Sequence, residues 1–165
     1  MAQDRVLIVE DEKLIRWSIK SRLEENGYVV SEVDSGKKAF ELLEEEDFDL
    51  MLLDFRLPDT TGLEILRRVR QEAPETSVVM MTAYGTVESA VEAMKLGAFD
   101  YLTKPVNLDE LTVIVNKALE TTSLRREVRR LRREQREIHG AMRMIGNSPA
   151  DPTTVVIPME QVNKI

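Results

Sequence analysis

Apolar residues along this chain follow two rhythms. Val6-Leu7-Ile8-Val9, Leu50-Met51-Leu52-Leu53 and Val78-Val79-Met80-Met81 are short continuous runs bounded by polar residues, as in strands buried on both faces. Tyr28 to Val33, with β-branched Val29, Val30 and Val33, and Asp100-Tyr101-Leu102-Thr103 supply two more strands. Between these runs the apolar positions recur at helical spacing. They are Leu14, Ile15, Ile19 and Leu23, then Ala39, Phe40 and Leu43 as a buried stripe, then Leu63, Ile65, Leu66 and Val69. Val87, Ala90, Val91 and Met94 mark a fourth helix, and Leu108, Leu111, Ile114, Val115 and Ala118 begin a fifth. Asn26-Gly27, Ala73-Pro74 and Gly97 end helices, Ser35 is a candidate N-cap, and Gly85 breaks the chain after the fourth strand. Five strands alternating with five helices predict an α/β fold. Its parallel sheet is covered on both faces, because each parallel crossover needs a helix.

After Thr122 the rhythm changes. Leu124, Val128, Leu131, Ile138, Met142 and Ile145 alternate spacings of four and three, with Gln135 filling the one gap. That is a heptad seam. Leu124, Leu131, Ile138 and Ile145 take d positions, and Val128, Gln135 and Met142 take a positions. Glu120, Glu127 and Glu134 then fall at g, and Arg125, Arg132 and His139 at e, so a parallel homodimer would pair each acid with a base. Such exposed pairs contribute only about 0.2–1 kcal/mol each and set orientation more than stability. The expectation is a homodimer in which the fifth helix runs unbroken into the coiled coil, to about Met142; a single exposed linker helix is the alternative. The same stretch carries Arg125, Arg126, Arg129, Arg130, Arg132 and Arg133, which could suggest nucleic-acid binding. Glu127, Glu134 and Glu137 interrupt that run and no aromatic is interleaved for stacking, so a solvated helix face is the better reading.

Composition narrows the class. The 165 residues include no Cys and one His and carry a formal charge of −7. No disulfide framework or thiolate metal site is available. No apolar run approaches the roughly 20 residues that span a bilayer. The N-terminus has no signal-peptide pattern, so a cytoplasmic protein without membrane contact is expected. The acidic balance argues against nonspecific nucleic-acid binding by the globular part.

Candidate chemistry collects at the strand ends. The first strand ends on Glu10 and Asp11, the third on Asp54, the fourth on Thr82 and the fifth on Lys104. A parallel sheet brings these ends to one edge, where ligands of open α/β sheets bind. Each residue alone has a plainer explanation: Asp54 as a loop cap, Thr82 as a helix N-cap, Lys104 as a surface lysine. Together, three carboxylates need a cation to coexist ionised, and oxygen-only ligands suit Mg²⁺. Lys104 could neutralise a phosphoryl oxygen and Thr82 donate a hydrogen bond to another. With no Cys and no nucleophilic Ser motif, the remaining nucleophile is a carboxylate, the group used in aspartyl-phosphate chemistry.

These residues sit in Val9-Glu10-Asp11-Glu12, Leu53-Asp54-Phe55-Arg56-Leu57-Pro58-Asp59-Thr60-Thr61-Gly62, Met81-Thr82-Ala83-Tyr84-Gly85 and Asp100-Tyr101-Leu102-Thr103-Lys104-Pro105. With those segments the chain resembles the receiver domain of two-component response regulators, over about residues 4–122. The resemblance implies a flavodoxin-like sheet in the order 2-1-3-4-5, and Asp54 accepting phosphate from a sensor histidine kinase. It implies Mg²⁺ held by Asp54, by Asp11 directly, by Glu10 mainly through water, and by the backbone carbonyl of Arg56. Thr82 and Lys104 would bind the phosphoryl group, Ala83 would leave room for it, and Lys104-Pro105 would be a cis peptide. Tyr101 matches the family's switch aromatic, and its plainer reading is a half-buried edge tyrosine. Arg56 and Tyr84 occupy positions that tune phosphoryl lifetime. A second dimer surface would be the face of the fourth helix, fifth strand and fifth helix.

The run through Thr86-Val87 and the segment Ile145-Gly146-Asn147-Ser148-Pro149-Ala150 are similar to the nitrogen-regulation class of sigma-54-dependent activators. With the heptad seam, that similarity divides the chain into a receiver domain at 1–122, a coiled-coil linker helix at 123–144, and the start of a truncated output domain or a disordered tail at 145–165. DNA would be reached only through an output domain absent here, and no Gly-x-x-x-x-Gly-Lys-Ser/Thr loop is present for an ATPase. The competing enzyme reading is a Mg²⁺-dependent phosphohydrolase acting through an aspartyl phosphate. Such enzymes typically place a second Asp two residues after the nucleophile, and here that position is Arg56.

Overall fold

The computed structural model describes residues 3–83 and 86–146, with side chains described as far as Ile138. Tyr84, the side chain of Met142 and all but the first two residues of the expected third segment, 145–165, therefore lie outside the described residues. Up to Arg125 the chain forms one compact unit, and from Arg126 a second.

In the first unit, β1 (Arg5–Val9), β2 (Val29–Val33), β3 (Leu50–Asp54), β4 (Ser77–Thr82) and β5 (Asp100–Thr103) form a parallel sheet in the order β2-β1-β3-β4-β5, as expected. The crossovers are α1 (Lys13–Glu25), α2 (Gly36–Glu45), α3 (Gly62–Glu72) and α4 (Val87–Lys95), and α5 (Leu108–Gly146) follows β5. The continuous apolar runs are needed because each strand feeds two cores. Val6, Ile8, Leu50, Leu52, Val79, Met81 and Leu102 pack with Ile19 and Leu23 of α1 and Leu111, Val115 and Ala118 of α5. Leu7, Val9, Met51, Leu53, Val78 and Met80 point the other way, onto Ala39, Ile65, Leu66, Val69 and Ala93 of α2, α3 and α4. Phe40 and Leu43 are only half-buried beside that second core.

Helix starts follow local chemistry. Ser35, Thr61 and Thr86 cap α2, α3 and α4 by accepting from Lys38, Glu64 and Ser89 backbone N–H groups. Gly27 follows α1 at φ 91°, which a side chain would resist. Two helices depart from their expected stripes. Leu14 of α1 is 74% exposed, and beside it Trp17 is 63% exposed. On α4 only Ala93 is buried, while Val87, Val91 and Met94 are exposed. Their spacing is helical, but the sheet covers one side of each helix and these residues lie on the other.

The exit from this unit is tied down by hydroxyls. Thr122 Oγ1 donates to Asp49 O at 3.0 Å and lies 2.8 Å from Ser77 Oγ, and Thr76 Oγ1 donates to Phe48 O at 2.7 Å, all buried. In the second unit, Val128, Leu131 and Ile138 are exposed on a continuous helix, and Glu127 pairs with Arg130. No helix among the described residues is long and apolar enough to cross a membrane.

Candidate functional site

Strand register places the chemistry. Val9 pairs with Leu53, so Glu10 emerges level with Asp54. Asp54 pairs with Met81, so Thr82 lies one step beyond it. Thr82 pairs with Thr103, and Lys104 follows. Backbone bonds from Phe55 N to Met81 O at 2.8 Å and from Lys104 N to Thr82 O at 2.7 Å hold these ends in step.

The result is a cleft of about 220 Å³ lined by Asp11, Glu12, Asp54, Arg56, Thr82, Ala83 and Lys104. Glu10 is 0% exposed and Asp54 6%, whereas Asp11 is exposed; carboxylate oxygens of the three lie within 4.8 Å of one another. Lys104 Nζ donates to Glu10 Oε1 at 2.5 Å and lies 3.2 Å from Asp54 Oδ2. Thr82 is buried at the end of β4 rather than capping α4, a role Thr86 takes, and the Lys104 ammonium is drawn inward. The plainer explanations of both residues therefore fail on position. Tyr101 is half-buried on the sheet's edge strand, and its hydroxyl is buried without a hydrogen-bond partner among the described residues. The Lys104–Pro105 peptide is cis. Neither Tyr101 nor Pro105 lines the cleft.

Burial first, and then the adjoining Asp54 carboxyl, push Glu10 up to about 8 from its ordinary 4.5. Burial opposes the Lys104 ammonium, but its bond to Glu10 and the charges of Asp54 and Glu10 outweigh that and raise its pKa. Three carboxyl groups whose oxygens lie within 4.8 Å of one another carry, when ionised, a charge that a hard divalent cation would relieve. The donor set fits one: oxygens only, with one exposed carboxylate on the open side.

Two residues at this edge escape sequence reasoning. Glu12 lines the cleft, although the strand-end pattern assigns only Glu10 and Asp11 of the acidic run there. Asp59, in the loop after β3, accepts from the Gly36 and Lys37 N–H groups of α2, both at 2.9 Å. Glycine at 62 is demanded by close approach: a Cβ there would lie 2.5 Å from Asp54 O and 3.0 Å from Phe55 Cα.

The model of the response regulator receiver domain matches residues 6–116. Over 149 residues the chain is 37% identical to the regulatory protein AtoC of Escherichia coli (strain K12), covering 90% of this chain and 32% of that protein. It is 41% identical over 150 residues to the response regulator protein PilR of Pseudomonas aeruginosa, with the same two shares. A solved structure of a response regulator receiver domain protein (CheY-like) from Methanospirillum hungatei JF-1 aligns with a TM-score of 0.72 at 32% identity, covering 75% of this chain and 99% of that one. The chain spans about a third of the length of the curated relatives it matches.

Proposed function

The chain belongs to the response regulator receiver domain family, and from that premise we propose that it is a phosphoryl-accepting switch with Asp54 as the acceptor. The observation that carries the reading is the meeting of Glu10, Asp11 and Asp54 with Lys104 at one sheet edge. An Asp54 carboxylate oxygen attacks the donor's phosphorus, the acyl-phosphate bond forms, and the leaving group departs with the electrons of the broken bond. Mg²⁺, when bound, neutralises phosphoryl charge; Glu10, Asp11, Asp54 and the Arg56 backbone carbonyl would hold it. Lys104 binds a phosphoryl oxygen as a point charge, Thr82 donates to another, and Ala83 leaves space for the group. Arg56 and Tyr84 tune how long the phosphoryl group persists, and Pro105 belongs with the phosphoryl-binding and switch residues.

The physiological donor in this reading is a sensor histidine kinase, and the setting is the cytoplasm. Phosphorylation draws Thr82 inward and lets Tyr101 move, changing the face formed by α4, β5 and α5. Residues 1–122 act as the receiver and 123–144 as a parallel coiled-coil linker seamed by Leu124, Val128, Leu131, Gln135, Ile138 and Met142. Residues 145–165 either begin the output part or form a tail. The output controlled is a sigma-54-type activator, which reaches DNA through a domain outside this sequence.

Intact-protein mass spectrometry after treatment with acetyl phosphate tests the reading. One phosphoryl group is expected on the parent with Mg²⁺, little without it, and none on Asp54→Asn. Equal labelling of parent and Asp54→Asn would overturn the assignment. Sustained phosphate release with many turnovers would favour the phosphohydrolase instead.

A further inference from the structure

We propose that Asp59 is a positioning residue for the cation-binding loop, fastening residues 55–62 to the first turn of α2. The inference rests on the reading above, in which the Arg56 carbonyl belongs to the cation's ligand set. The loop is closed on itself: Arg56 bridges Thr61, Leu57 N–H donates to Thr60 O at 3.1 Å, and Gly62 N–H donates to Phe55 O at 2.7 Å. Those bonds fix its shape. They do not fix where that shape sits over the acid cluster, because all of them lie within eight consecutive residues.

Phe55 N–H, bonded to Met81 O at 2.8 Å, holds only the start of the loop against β4, and Asp59 supplies the anchor for its far part. Its Oδ1 accepts from Gly36 N–H and its Oδ2 from Lys37 N–H, each at 2.9 Å, so one carboxylate bridges two successive donors of a different element. A helix start leaves four N–H groups without helical partners. Here the work is divided: Ser35 Oγ takes Lys38 N–H locally, and Asp59 takes the two before it from more than twenty residues away. Those backbone bonds, from Gly36 and then from Lys37, hold the Asp59 carboxyl below its ordinary pKa. The contact is tight as well as polar. Gly36 is buried, and a Cβ there would run into Thr60 Cγ2, so the loop lies directly on the helix's first residue. Two independent features, a bidentate cap and a missing Cβ, dock one loop onto one helix end. That loop places Arg56 at the wall of the cleft that Lys104 and Thr82 also line.

Ligands in a metal site depend on the groups that orient them, and losing such a support typically weakens metal binding by about tenfold or more. Calorimetric Mg²⁺ titration of the full chain, without any phosphodonor, reads this directly. Asp59→Ala should bind Mg²⁺ about tenfold more weakly than the parent. Asp59→Asn, which keeps one acceptor oxygen, should fall between them. Gly36→Ala should weaken binding too, and add little on top of Asp59→Ala, because both act through the same docking.

Amide NMR supplies the signature a general loss of stability would not give. The Gly36 and Lys37 resonances should shift on adding Mg²⁺ to the parent and stay still in Asp59→Ala. The proposal is overturned if Asp59→Ala and Gly36→Ala bind Mg²⁺ with parent affinity. It is also overturned if their affinity falls only in step with their thermal stability in EDTA while Asp59→Asn restores none of the binding. Should Asp59→Ala not fold, Asp59→Asn and Gly36→Ala decide it: parent affinity in both overturns the proposal. A parent that binds no Mg²⁺ would instead sink the phosphoacceptor reading on which it rests.

Discussion

Glu10 shows how a single side chain can set the pH behaviour of the whole site. Its folded pKa is raised to about 8 from 4.5, so between those values the folded metal-free protein holds a proton that the unfolded chain has released. A folded state that binds more protons loses stability as pH rises, so metal-free stability should fall from about pH 5 to about pH 8 and then level off. Urea denaturation in EDTA across that range checks it, and Glu10→Gln, which imitates the protonated form, should flatten the slope. Gly62→Ala makes a second prediction at this scale. Its Cβ would press on the backbone of Asp54 and Phe55, which cannot yield as a flexible side chain could. A cost of about 1–3 kcal/mol is expected by chemical denaturation, together with slower labelling of Asp54.

The residues at this edge were legible in the sequence to different degrees. Asp54, Glu10, Asp11, Thr82 and Lys104 could be placed because each follows an apolar strand, and parallel register does the rest. Asp59 could not, because its partners Gly36 and Lys37 are distant in sequence and nothing about an acid in a loop shows which helix end it will find. Glu12 had a visible signal, the third acid of a run, but whether it faces the cleft depends on how α1 leaves β1.

Among the elements, the helices teach where periodicity stops being informative. The spacing of Val87, Val91 and Met94 is that of a helix, yet those residues are exposed and Ala93 takes the core position. Period reports conformation; which side is covered depends on what lies opposite, and in α4 it is Ala93 that joins the second core. In α5 the two roles separate along one helix. Leu111, Val115 and Ala118 are buried in the first unit, whereas Val128, Leu131 and Ile138 of the second carry exposed apolar side chains. Sedimentation of the parent against Leu131→Asp tests the proposed seam: the parent should dimerise at tens of micromolar and the variant should not. Between these stretches sits Thr122, bonded to Asp49 O, Ala118 O and Ser77 Oγ. Thr122→Val keeps the shape and removes one hydrogen bond from Asp49 O, which keeps its Ser77 N–H partner, so a loss of about 0.5–1.5 kcal/mol is expected in thermal or urea unfolding.

At the scale of the molecule, the two functions proposed for the chain fall largely to different units, with only Leu124 of the proposed seam inside the unit that ends at Arg125. Leu131→Asp should therefore leave Mg²⁺-dependent labelling of Asp54 at the parent level while abolishing the dimer. The alternation of the strand runs between two cores has an energetic counterpart. Leu52 and Leu53 are covalent neighbours, but their side chains fall in separate clusters, while Leu52 shares its cluster and its register with Val79 of β4. Proximity along the chain and thermodynamic coupling should then part company. In double-mutant cycles, alanine at 52 and 53 should cost sums that add to within about 0.5 kcal/mol, whereas alanine at 52 and 79 should deviate by more. On that outcome the sheet acts as a partition, and a cavity opened on one of its sides goes unfelt on the other.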